Sequence, residues 1–204
     1  MKTIPNLEEH GFEWGGLAPL TSQTRNVLRR IIKTYENDPM RLGDNFDRIE
    51  DEIDIVTLVN DNKQTACALD LNLGDLFQPA WMDKIHRTLH RGHTAILARA
   101  QLHLHNIATD GPLHVDAERK SVRVWNVMIS LYDDPHAGAT VIFPPGTTDD
   151  AVHMETPIAV AAPKNHFFVM DGNTLHYRRG ARTTSKRRMF ILTFSDGIVD
   201  GVDW

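Results

Sequence analysis

Ala95-Ile-Leu-Ala-Arg-Ala-Gln-Leu-His-Leu-His105 opens the half of the chain whose reading decides the fold. It is the first of several short runs rich in β-formers, each bounded by turn residues. Val122 to Tyr132, Ala139 to Phe143, Ile158 to Ala161, His166 to Met170 and Met189 to Phe194 follow. Six short strands at fairly even spacing point to a β-sandwich or barrel and away from a doubly wound sheet.

Working outward, the first ninety residues lean helical. Val27, Leu28, Ile31, Ile32 and Tyr35 recur at helical spacing, with Thr21 or Ser22 as N-cap. Asn37-Asp38-Pro39 ends that segment. A second helix is expected from Pro79 to His90, with Trp81, Ile85 and Leu89 on one face. Between them, Asp54 to Val59 and Thr65 to Leu69 read as two short strands around Asn60-Asp-Asn-Lys63. The expected architecture is α+β: a single domain over residues 1–204, mainly helical over 1–93, with a β core over 94–196.

A chain of 204 residues can bury one real core. Its composition, 41% hydrophobic and 24% charged, is that of a compact globular protein. With a net charge of −5, a nucleic-acid partner is not expected. No apolar run approaches the ~18 residues of a membrane span, and the first residues lack the apolar core of a signal peptide. A cytoplasmic protein is expected. Cys67 stands alone, so neither an intrachain disulfide nor a thiolate metal cage can form.

Within the β half, Asp110-Gly-Pro-Leu-His114-Val-Asp116 sets a histidine and a carboxylate two residues apart. In an extended chain these point to one side, where both can reach one metal ion. His176, after the turn Met170-Asp-Gly-Asn-Thr174, is the natural third ligand. Two histidines and one carboxylate on one face of a metal suit non-haem Fe(II), leaving positions open. Arg187 follows His176 by eleven positions, at the start of an apolar run, where a cation would point into the barrel and pair with a carboxylate.

This order, His-x-Asp, a long gap, His, ten residues and Arg, resembles that of the 2-oxoglutarate- and Fe(II)-dependent dioxygenases. Gly111-Pro-Leu-His-Val-Asp116, Leu131-Tyr-Asp-Asp134, His136-Ala-Gly-Ala-Thr-Val-Ile-Phe-Pro144 and Pro163-Lys-Asn-His-Phe-Phe-Val-Met-Asp171 resemble segments of the prolyl-hydroxylase-like branch. Ala137-Gly138-Ala139 stands where relatives often carry Gly-Gly. The similarity covers roughly Ala95 to Asp196. It implies a double-stranded β-helix (jelly-roll) core, with iron held by His114, Asp116 and His176. It also implies 2-oxoglutarate as co-substrate, O2 as oxidant and ascorbate as a supporting reductant. The reaction implied is hydroxylation of an unactivated C–H bond, coupled to decarboxylation of the keto acid to succinate. The carboxylate at Asp116 stands where halogenating relatives carry a small residue, which favours hydroxylation over chlorination. An amino acid, a peptidyl residue or a small metabolite is the expected substrate.

Arg187 is the first choice for the keto acid, because alternation sets Thr193 on its face. Arg188, on the face of Phe190, Leu192 and Phe194, is the second choice. Asn126 and Ser130 share a face with Met128 and are candidate co-substrate contacts, while Trp125 points to the core. Asn106 is a further candidate for hydrogen bonding the keto acid. His103 and His105 read as pocket-lining residues. The rest of the basic run Arg178 to Arg188 reads as a solvated loop near the pocket mouth. Two other readings compete. One is a cupin-like metalloenzyme using His103, His105 and His176 without a keto acid, and the other is a non-enzymatic β-sandwich binding module.

Overall fold

The computed structural model describes residues 6–49, 53–60, 63–64, 73–89, 95–105, 109–116, 122–132, 138–180 and 186–196. In chain order its elements are α1 (Leu7–His10), β1 (Phe12–Leu17), α2 (Ser22–Asn37), β2 (Phe46–Ile49), β3 (Ile53–Asn60), β4 (Lys63–Gln64), α3 (Leu73–Leu76) and α4 (Pro79–Leu89). They continue as β5 (Ile96–His105), β6 (Val124–Ser130), β7 (Ala139–Ile142), β8 (Ile158–Val160), β9 (His166–Asp171), β10 (His176–Arg179) and β11 (Arg187–Ser195).

All six strands expected after residue 94 form. The main sheet runs β1-β9-β6-β11-β5-β3-β2 with β4 beside β3, and a smaller sheet runs β10-β7-β8. Every pairing is antiparallel. The two sheets face one another as a jelly roll, with the helices on the outer face of the larger one. The described residues before 94 hold strands β1 to β4 as well as helices α1 to α4. β1 pairs with β9, and β3 pairs with β5, so this part supplies edges of the main sheet as well as its helical cover. The expected strand from Thr65 to Leu69, Cys67 and the end of the second helix at His90 lie outside the described residues.

Alternation divides the main sheet into two working faces. Trp125, Val127, Ile129, Phe167, Val169, Phe190, Leu192 and Phe194 pack outward, beneath Val27, Leu28 and Ile31 of α2 and Trp81 and Ile85 of α4. Thr21 caps α2, accepting from the Thr24 amide at 3.1 Å. The inner face carries Phe12, Met128, Phe168, Met170 and Met189, which meet Ile142 and Val160 of the small sheet.

Arg188 belongs to the outer face. It is 2% exposed, its guanidinium lies 5.5 Å from the Tyr35 ring centroid, and it pairs with Glu36 at 3.4 Å. The Tyr35 hydroxyl donates to Asp54, which also accepts from Arg48 Nε at 2.7 Å. Burial, reinforced by Asp54, pushes the Tyr35 hydroxyl up to about 12, so it stays a donor at neutral pH. Tyr35→Phe leaves one lobe of Asp54 without that donor. A loss of about 1–3 kcal/mol is expected in the denaturant midpoint, with metal binding unchanged.

Candidate metal centre

The loop carrying His114 and Asp116 is laced to β10 and to the turn before it by backbone hydrogen bonds. The Gly111 amide donates to the Arg178 carbonyl at 2.7 Å, and the Asp116 amide to the Gly172 carbonyl at 2.8 Å. Between them His114 and His176 exchange both bonds of an antiparallel bridge, each at 2.9 Å. A directly opposed pair brings side chains together, and here the two imidazole centroids lie 4.4 Å apart. Asp116, two residues beyond His114, projects to the same side.

His114 Nε2 and His176 Nε2 each lie 3.5 Å from a different oxygen of Asp116. One ligand atom from each of the three residues falls within 4.8 Å of the others. The far nitrogens fix the tautomers. His114 Nδ1 lies 2.9 Å from the Pro112 carbonyl, and His176 Nδ1 lies 2.9 Å from the Thr174 carbonyl. A carbonyl only accepts, so each Nδ1 carries the hydrogen and each Nε2 presents its lone pair inward. Two neutral imidazoles and one carboxylate fit a divalent transition metal. The His114 side chain is 44% exposed while that of His176 is 7% exposed, so the centre opens to solvent on the His114 side.

Electrostatics agree with this division. Burial lowers the His176 pKa, and the Asp116 charge only partly offsets it. For His114 burial acts downward too, but the hydrogen bond and charge of Asp116 outweigh it and raise the value. Burial alone would raise Asp116; the two histidines reverse that and hold it low. Protonated His114 cannot bind a metal, so the proton competes with it. Metal affinity is therefore expected to fall as pH drops, starting above the ordinary histidine value of 6.5. A metal titration across pH 6 to 8 checks this, and affinity independent of pH in that range counts against His114 as a ligand.

Asn126 of β6, a candidate co-substrate contact in the sequence, bonds to the cluster itself. Its Nδ2 donates to Asp116 Oδ2, and its Oδ1 accepts from Thr193 Oγ1 at 2.8 Å. The Thr193–Asn126–Asp116 chain orients the carboxylate, and a carboxylate that only accepts fixes the amide's orientation. Loss of such an orienting partner costs about 10- to 100-fold in metal affinity. That loss is the expectation for Asn126→Ala by competition against a chelating dye. Ser130, on the same face as expected, donates to the Tyr132 carbonyl at 3.1 Å. Trp125 lies in the outer core as expected.

Arg187 lies on the inner face, 7% exposed, and reaches across to the small sheet. Its Nη1 donates to the Ala139 carbonyl at 3.2 Å and its Nη2 to Thr140 Oγ1 at 2.6 Å. Arg188, one residue on, is on the other side of the sheet and so is removed from the inner face. His103 is partly buried on the inner face, with Nε2 3.2 Å from Gln101 Oε1. Burial, then Arg187, push His103 down to about 4, which keeps it neutral. Among the described residues it is not grouped with other potential ligands, as a cupin-type site would require. Asn106 lies outside the described residues, as do the Asp133-Asp134 and His136 segments of the resemblance. Arg178, expected in a solvated loop, is instead 9% exposed on β10.

No family model matches the chain, and no curated protein matches it. Solved structures do share its fold. AviO1 from Streptomyces viridochromogenes Tue57 aligns over 100% of both chains at 19% identity, with a TM-score of 0.72. SnoK, a non-heme alpha ketoglutarate dependent carbocyclase from nogalamycin biosynthesis, aligns over 96% of this chain and 86% of its own, at 14% identity and a TM-score of 0.69. A prolyl-4-hydroxylase from Pseudomonas putida aligns over 92% and 94%, at 14% identity and a TM-score of 0.58. The jelly roll of 2-oxoglutarate- and iron-dependent oxygenases is thus the fold of this chain. Within that fold, the TM-score with the prolyl-4-hydroxylase is lower than those with AviO1 and SnoK.

Proposed function

We propose that the chain is an Fe(II)- and 2-oxoglutarate-dependent oxygenase that oxidises an unactivated C–H bond of a small molecule, with hydroxylation as the outcome. The observation that carries this is the meeting of His114, Asp116 and His176 beside a buried inward arginine, Arg187. The fold shared with a non-heme alpha ketoglutarate dependent enzyme supports it. Iron bound there would supply O2 activation coupled to decarboxylation of the keto acid.

The protein's own part is positioning. His114 and His176 would hold iron through Nε2, with Asp116 oriented by Asn126 as the third ligand. With only three protein ligands, the metal would still have room to take the keto acid and O2. Arg187 would bind the distal carboxylate, with Thr140 steadying its guanidinium. The apolar wall of Met128, Phe168, Met170 and Met189 excludes water on one flank.

Anaerobic addition of Fe(II) and then 2-oxoglutarate should develop the weak visible charge-transfer band of a chelated keto acid. O2 should then yield succinate. A protein that shows no band and releases no succinate is not this enzyme.

A further inference from the structure

The turn between β9 and β10 touches both segments that carry the metal centre, and Gly172 is buried at its middle. The Gly172 amide donates to the Val124 carbonyl at 2.8 Å, and its carbonyl accepts from the Asp116 amide at 2.8 Å. The Asp116 carboxylate in turn accepts from Asn126, which stands two residues beyond Val124 on β6. These bonds close a ring: Val124, Gly172, Asp116, Asn126 and back along β6 to Val124. Two residues further along the turn, the Thr174 carbonyl receives His176 Nδ1 at 2.9 Å. One turn therefore holds the backbone of Asp116 and the ring of His176 against β6.

The ring closes because position 172 carries no side chain. A Cβ on Gly172 would stand 2.8 Å from Val124 Cγ1 and 3.1 Å from Val124 Cβ. Both are well inside the ~3.5–4.0 Å at which two carbon atoms rest in contact. The φ of Gly172 is not positive, so glycine is required here for space and not for backbone conformation. Val124 has little room to retreat, being 2% exposed and paired with Ser195 of β11. On its far side the turn is pinned as well. The Asp171 amide donates to the Gly11 carbonyl at 2.9 Å, and Thr174 lies so close to Gly11 that a Cβ there would meet its Cγ2 at 2.7 Å. A displacement of the turn is therefore passed on to Asp116 and His176, while Asn126 stays with β6.

We infer that Gly172 is a positioning residue of the metal centre: its missing side chain sets the gap between β6 and the turn, and with it the fit of Asp116 between Asn126 and the two histidines. That the ion is iron rests on the proposed function; the dependence of metal affinity on this gap does not. The tolerance is small. Metal–ligand distances are held to within about 0.2 Å. Bringing a Cβ on residue 172 out to ordinary contact with Val124 Cγ1 needs a shift of roughly 0.7–1.2 Å. A carboxylate carried that far no longer meets Asn126 and the ion together.

Titration with Co(II), followed by its visible d–d absorption, tests this, because the band reports coordination geometry as well as affinity. Gly172→Ala is expected to weaken Co(II) binding by about 10- to 100-fold, the loss usual when the support of a ligand is disturbed, and to alter the band. Val124→Ala removes the Cγ atoms that a new Cβ would strike. The double variant Val124→Ala/Gly172→Ala should therefore recover most of the lost Co(II) affinity, even though its smaller core lowers the melting temperature further. A merely structural glycine would not give tighter metal binding in a less stable protein. Gly172→Ala that binds Co(II) as tightly as the wild-type protein overturns the inference and leaves the proposed function intact. So does a double variant that binds no better than Gly172→Ala. If Gly172→Ala does not fold, the double variant is compared with Val124→Ala: equal affinity supports the inference, and a loss of about tenfold or more overturns it. Wild-type protein that takes up no Co(II) overturns both readings. If the loss and its relief are seen but Fe(II) and 2-oxoglutarate give no visible band, the proposed function falls and the positioning role stands.

Discussion

Asp116→Ala is expected to abolish O2-dependent succinate formation and to lower Fe(II) affinity by well over a hundredfold. Loss of a group that merely orients a ligand costs about 10- to 100-fold, and Asp116 is itself the only carboxylate of the cluster. Its removal also leaves two imidazoles, 4.4 Å between centroids, with no anion to balance a divalent charge. The fold should survive, because the Asp116 amide still bonds to Gly172 and the His114–His176 bridge is made by backbone. Metal content after dialysis and succinate yield under single-turnover conditions check this. A variant that keeps iron and turns over at the wild-type rate would remove Asp116 from the centre.

Arg187→Met should raise the 2-oxoglutarate concentration needed for half-maximal succinate formation by roughly thirty-fold to several thousand-fold. That corresponds to the about 2–5 kcal/mol lost when one partner of a buried, hydrogen-bonded charge pair is truncated. Methionine keeps much of the apolar volume and removes the fork that reaches Ala139 and Thr140. Iron binding without keto acid should change little, since Arg187 is not among the ligands. Arg188→Met supplies the contrast. It breaks the contacts with Tyr35 and Glu36 on the helix side, so its cost should appear in thermal stability and not in the keto-acid requirement. If the two variants exchanged these phenotypes, the strand register would be wrong by one residue.

The β half was legible because its signals are local. Runs of β-formers between turn residues mark strands, and alternation correctly set Thr193 with Arg187 and Phe190 with Arg188. The His-x-Asp spacing followed from the same two-residue rule. What could not be read depends on partners distant in sequence. β1, Phe-Glu-Trp-Gly-Gly-Leu, has two glycines that cut its alternation short after Trp14; it is a strand because β9 offers an edge. β10, His-Tyr-Arg-Arg, reads as a basic loop, and only its pairing with β7 reveals a strand with His176 and Arg178 facing inward. The rule that joined His114 to Asp116, applied forward from His176, would have pointed to Arg178. Periodicity set Asn126 on the inner face, but not its bonds to Asp116 and Thr193, since a strand's periodicity names a side and not the group met there.

The backbone bridge between His114 and His176 bears on how the centre fills. Two proposed ligands on a loop and a third on a strand would ordinarily have to be gathered by the ion itself, at a cost in chain entropy. Here the loop is already fastened to β10 at Gly111 and His114, and to the preceding turn by the Asp116–Gly172 bond, so that ordering belongs to folding. Loading of the proposed centre is then expected to resemble docking into a preformed socket: fast, without a slow conformational phase, and reversible by a chelator without unravelling the barrel.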